Sequence, residues 1–113
     1  MLKISPSPHD RKAVAPIFAA LGDETRLSLV TKLSKGEPLS ISELTKGSKV
    51  TRQAITKHLQ ILEDVGIVHS IRSGRENLFE LKAKKINEVK SYLDRVSAQW
   101  DQALARLKSF VED

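Results

Sequence analysis

A chain of 113 residues with 19 Lys and Arg against 14 Asp and Glu carries a formal net charge of +5, and at 4% aromatic it must build a small core from Leu, Ile, Val and Ala. It has no cysteine, which excludes disulfides, thiolate zinc sites and thiol redox sensing. The basic balance points to an anionic partner, either nucleic acid or a membrane surface. No apolar run reaches the roughly 18 residues of a membrane span, and MLKISPSPHDRK lacks the apolar stretch of a signal peptide, so a single cytoplasmic domain is expected.

Residues 1–12, with Ser5, Pro6, Ser7 and Pro8, read as a loose arm. In AVAPIFAAL, Ala13, Ile17, Ala20 and Leu21 share a helical face, with Phe18 beside them. Pro16 lacks an N–H and its ring crowds the preceding turn, so this helix is expected to start near Val14 or Ala15. Gly22 stops it. Asp23 is an N-cap candidate with Glu24 in the first turn, and a second helix runs through TRLSLVTKL, with Leu27, Val30 and Leu33 inward and Leu29 adjoining. Gly36 and Pro38 end that helix. Ser40 and Glu43 have capping-box spacing, which predicts a short third helix over 41–46, closed by Gly47.

After the turn SKV, Thr51 caps a fourth helix that reaches about Val65 and ends at Gly66. IVHSIR and ENLFEL then alternate around a Ser73-Gly74 turn. In this hairpin Ile67, His69 and Ile71 share one face and Val68, Ser70 and Arg72 the other, while Asn77, Phe79 and Leu81 lie on one side of the return strand. From 84 to about 111 no Pro or Gly interrupts a single long helix. Its Ile86, Val89, Leu93, Val96, Trp100, Ala103, Leu107 and Phe110 repeat at alternating three- and four-residue steps.

Two short helices joined by a tight Gly-containing turn form a helix-turn-helix, whose second helix can enter the DNA major groove with its N-terminal residues facing base edges. Ala54, Ile55, Leu59, Leu62 and Val65 would hold that helix to the core, leaving Arg52, Gln53, Thr56, Lys57 and Gln60 outside. Arg52 and Gln53 suit guanine and adenine edges, whereas Lys49, Thr51, Thr56 and Lys57 suit phosphates. No acidic residue occurs between Lys46 and Leu62. The hairpin, with Arg72 and Arg75 flanking its tip, would act as a wing on the phosphates or in a minor groove. The bland alternatives are a solvated basic face on the helix, and cross-strand pairing of the arginines with Glu76 or Glu80.

Two further function classes compete with DNA binding. A protein-interaction module would use the long helix and leave the basic face incidental, and a sequence-specific gel shift separates it from a regulator. A membrane-surface protein needs a polar helix face dominated by Lys and Arg, which Asp94, Asp101, Glu112 and Asp113 oppose. Catalysis is not expected, since no nucleophile has a recognisable base and orienting partner.

The segments ALGDETRLSLVTKLSKGEPLSISEL and VTRQAITKHLQILEDVGIVHSIRSGRENLFEL together resemble the ArsR/SmtB group of bacterial winged-helix transcriptional regulators, over about residues 14–82. VKSYLDRVSAQWDQALARLKSFVE resembles a branch of that group with a long C-terminal helix bearing a Trp-Asp pair. The fold expected is mainly α with a small β-hairpin: a winged helix-turn-helix over 14–82 followed by a dimerisation helix over 84–111. The resemblance implies a homodimeric repressor on a near-palindromic operator in double-stranded DNA. Pairing of the last helices would use Leu93, Val96, Trp100, Leu107 and Phe110.

Metal-sensing members of that group carry Cys-x-Cys where this chain has Ser40 and Ser42 around Ile41, and hydroxyls are poor ligands for soft metals. Another common site of the group uses His on the last helix, where this chain has none; His9, His58 and His69 are widely scattered. No metal or cofactor is expected, and the residues name no effector.

Overall fold

The structure, a computed structural model, describes residues 8–112. Among these residues the chain forms, in order, α1 (Pro8–Leu21), α2 (Glu24–Leu33), β1 (Leu39–Ser40), α3 (Ile41–Thr45), α4 (Arg52–Asp64), β2 (Val68–Ser73), β3 (Glu76–Leu81) and α5 (Ala83–Glu112). This is a mostly helical winged helix-turn-helix with a small antiparallel sheet and a long final helix.

The first helix departs from expectation. It begins at Pro8 rather than near Val14 or Ala15, so residues 8–12 of the expected arm are helical, while residues 1–7 lie outside the described residues. Proline suits a first helical position, where its missing N–H has no partner to lose, and Asp10 follows in the first turn. Pro16 then falls inside the helix, a cost of about 3 kcal/mol in an isolated one. Burial of Val14, Ile17 and Ala20 offsets it, together with an ion pair from Asp10 to Arg95 of α5 at 3.5 Å.

In α2 the buried stripe is Leu29 and Leu33, and Leu27, expected inward, is 49% exposed. Leu27 and Leu29 lie two residues apart, about 200° around the helix, so only one of them can face the core. α3 starts with the predicted capping box: Ser40 Oγ accepts from the Glu43 N–H at 3.1 Å, and the Ser40 N–H donates to Glu43 Oε1 at 3.0 Å. Those two Ser40 groups, its N–H first and its hydroxyl second, hold the Glu43 carboxyl below the usual carboxylate range. β1, too short to predict, pairs Leu39 with Phe79 and Ser40 with Leu78, which makes a three-stranded antiparallel sheet in the order β1-β3-β2.

Ile17, Leu29, Leu33, Leu44, Ile55, Leu59, Leu62, Ile67, Val68 and Phe79 close into one core, with Ile86 and Val89 of α5 packed against its edge. Leu44 fixes α3 in it and is fully buried. Leu44→Ala should cost about 2–5 kcal/mol of stability, read as a lower urea midpoint at unchanged slope. A loss below about 1 kcal/mol would mean that α3 is not held through this residue.

Candidate nucleic-acid interface

The α4 helix divides cleanly into two faces. Thr51 Oγ1 accepts from the Ala54 N–H at 3.1 Å and caps the start, and Ile55, Leu59 and Leu62 enter the core at helical spacing. Ala54 and Val65 are half-buried rather than core. Arg52, Gln53, Thr56, Lys57 and Gln60 are all exposed, as are Lys49 and Thr51 just before the helix. Two of these side chains are engaged within α4. The Thr56 hydroxyl donates to the Arg52 carbonyl at 2.9 Å, and the Gln60 amide donates to Asp64 Oδ1 at 2.9 Å. Among the described residues Lys49, Arg52 and Lys57 make no ion pair.

A residue that sequence reasoning passed over orients this helix. Arg26 donates from Nε to the Ala20 carbonyl at the end of α1, and its Nη1 lies 3.0 Å from His58 Nδ1 on α4. A guanidinium only donates, so His58 Nδ1 is the acceptor in this contact. Asp23, the predicted N-cap of α2, accepts from the Arg26 N–H at 3.0 Å and lies 3.8 Å from His58 Nδ1. That N–H and the nearby guanidinium hold the Asp23 carboxyl low. One side chain thus ties α1, α2 and α4 together. The signal was present in the sequence: a cation in the first turn of a helix opposes the helix dipole and needs a partner elsewhere.

The wing is a six-pair ladder from Val68↔Leu81 to Ser73↔Glu76. Its turn is therefore Gly74-Arg75, one residue later than the Ser73-Gly74 turn expected. Gly74 has φ +62°, and no non-glycine residue among the described ones has positive φ, the sign pattern of a type II′ hairpin. The shift moves Arg75 from a flank to the tip. Val68, Phe79 and Leu81 form the inner face, and Arg72 and Asn77 continue it outward along the wing. Glu80 does not pair with the arginines; His69 Nε2 meets its Oε1 at 2.6 Å across the strands. Arg72 Nε donates to the Gly74 carbonyl at 3.3 Å, and neither arginine makes an ion pair among the described residues. The Ser70 N–H donates to Glu63 Oε2 at 3.2 Å, fastening the wing to the end of α4.

These elements converge. Arg52 at the start of α4 and Arg75 at the wing tip line one cleft of about 230 Å³ with Ser40, Ser42, Glu76 and Asn77. The cleft brings two exposed guanidiniums together, a chemistry suited to phosphates and base edges. Far from it, Leu93, Trp100, Leu107 and Phe110 are exposed along α5, with Leu104 and Val111 in the same stripe, while Val96 is half-buried. No helix among the described residues is long and apolar enough to cross a membrane, and none of their His, Asp and Glu side chains form a group of three suited to a metal.

Residues 21–71 match the helix-turn-helix domain family. The chain is 46% identical over 65 residues to the uncharacterised HTH-type transcriptional regulator YuzN of Bacillus subtilis, spanning 52% of this chain and 71% of that protein. It is 28% identical over 102 residues to the HTH-type transcriptional repressor SmtB of Mycobacterium tuberculosis, covering 88% and 73% of the two chains. The solved structure of an ArsR-like transcriptional regulator from Rhodococcus sp. RHA1 superposes with a TM-score of 0.80 at 36% identity, over 95% of this chain and 97% of that one.

Proposed function

The chain belongs to the ArsR/SmtB-type winged-helix transcriptional regulators and is a DNA-binding regulator of transcription, and from that premise we propose that it is a homodimeric repressor that reads a near-palindromic operator with α4 and its wing. The observation that carries this reading is the shared cleft of Arg52 and Arg75, two exposed guanidiniums without ion pairs among the described residues, on elements tied together through Glu63 and Ser70. Arg52 and Gln53 read base edges; Lys49, Thr51, Thr56, Lys57, Arg72 and Arg75 bind phosphates. The Thr51 oxygen is already occupied as a cap, so its hydroxyl hydrogen is what it offers to DNA. Thr56 must release the Arg52 carbonyl to donate to a phosphate.

Repression is supported by the likeness to the repressor SmtB. Dimerisation is supported by the exposed stripe of α5, where Leu93, Trp100, Leu107 and Phe110, with Val96 beside them, would pair across a two-fold axis. The place of action is the cytoplasm, with the operator.

The test is selection of bound duplexes from random DNA, followed by gel shifts of Arg52→Ala on the selected site and on single-base variants. Preference at particular operator positions should relax by about 1–3 kcal/mol. Equal weakening on operator and random DNA would remove Arg52 from base reading.

A further inference from the structure

A second polar cleft lies between α1 and α5, with a volume of about 430 Å³, within the range of small-molecule sites. It is lined by the α1 turn around Asp10, Ala13 and Val14 and by Lys84, Asn87, Glu88, Ser91 and Arg95 of α5. Its charges are unevenly matched. The Glu88 carboxylate lies 3.4 Å from Lys85, and that of Asp10 lies 3.5 Å from Arg95 Nη2. Lys84 makes no ion pair among the described residues. The Arg95 Nε is buried, and no described group accepts its hydrogen bond. A buried N–H without an acceptor has lost its hydration with nothing in return. Asp10 thus engages Arg95 at Nη2, while the neighbouring Nε of the same guanidinium lacks an acceptor.

That combination selects a ligand class. A carboxylate takes two parallel N–H bonds from one edge of a guanidinium, and a neighbouring ammonium adds attraction without competing for the same geometry. Asn87 and Ser91 offer neutral donors and acceptors, and Ala13 and Val14 supply an apolar wall. On α5 the lining residues also face away from the exposed apolar stripe. Ser91 and Leu93 are two residues apart, about 200° around the helix, so Lys84, Ser91 and Arg95 lie opposite the stripe of Leu93, Trp100, Leu104 and Leu107.

We propose that the α1–α5 cleft binds a small monocarboxylate, its carboxylate held by Arg95 and Lys84 and its apolar body against Ala13 and Val14. A small rotation of the Arg95 side chain presents the Nε edge to the ligand. This site is independent of the DNA interface, and its test reads binding on the chain itself.

The ¹⁵N-labelled full chain is titrated with benzoate and with pyruvate at constant ionic strength, and the Arg95 Nε–H resonance is followed with the amides of Asn87 and Ser91. Saturable shifts at all three positions are expected with at least one acid and none with benzamide, the neutral counterpart of benzoate. Lys84→Gln, an exposed substitution that leaves the fold intact, should weaken that binding about tenfold. Three results each overturn the proposal: an Arg95 signal unmoved by both acids, an equal response to benzamide, or unchanged affinity in Lys84→Gln.

Discussion

Trp100→Asp combined with Leu107→Asp should leave the chain monomeric at micromolar concentration and bring its operator affinity down to the level of random DNA, a fall of at least about three decades. The reason is geometric. A compact domain of this length has a radius of gyration of about 13 Å; this chain has 18.2 Å and extends 66 Å along its long axis. The excess is the distal half of α5, in which no residue is buried although Trp100, Leu104, Leu107, Phe110 and Val111 are apolar. A stripe of that kind needs a partner surface, and a second copy supplies one with matching periodicity. Two aspartates in the stripe put four carboxylates into the paired helices, where burial without partners is prohibitive. A single α4 then reads only one half-site. Sedimentation velocity reports the mass and a gel shift the affinity. A double mutant that remains dimeric would move the interface elsewhere, and a wild-type monomer at micromolar concentration would remove the dimer altogether.

Operator affinity should also fall by about three to five decades between roughly 50 and 200 mM salt, as expected for a dimer making about 6–10 phosphate contacts. Under the proposed reading the contributors are Lys49, Lys57, Arg72 and Arg75 of each protomer. Arg75 stands at the wing tip, exposed and without an ion pair among the described residues. Arg75→Ala should therefore make the logarithmic salt slope shallower by about one unit per protomer, with operator and random DNA weakened alike. An unchanged slope would take the wing off the phosphates, and a loss confined to the operator would make Arg75 a base reader in the minor groove instead.

How much of this was legible in the residues depends on how local each interaction is. The caps at Asp23, Ser40 with Glu43, and Thr51 span three residues each, and all three form as their spacing predicts. The core stripe of α4 and the alternation of the hairpin follow from periodicity alone. What periodicity cannot supply is the direction of the core. Leu27 and Leu29 fit a helical face equally well, and only the packing of α4 and β3 on α2 selects Leu29. β1 exists because Leu39 and Ser40 meet a strand almost 40 residues later, so its two residues carry no signal of their own. α1 starts earlier than Pro16 alone predicts, because the rule that keeps proline in the first turn yields to its buried neighbours. Arg26 gave a local warning, but its partner His58 is 32 residues away.

The division of α4 into two faces bears on how such a protein changes target over generations. The groups that hold the helix to the core, among them Ile55, Leu59 and Leu62 on the inside, the Thr51 cap and the Arg26–His58 tie, are separate from the outward side chains of Arg52, Gln53 and Lys57. If those outward positions read the operator as proposed, substitutions there would change the preferred sequence at little cost in stability, so a duplicated copy could acquire new targets on an unchanged scaffold. The converse is expected for Arg26: losing its contacts to Ala20 and His58 would loosen α4 on the core whatever sequence the helix reads.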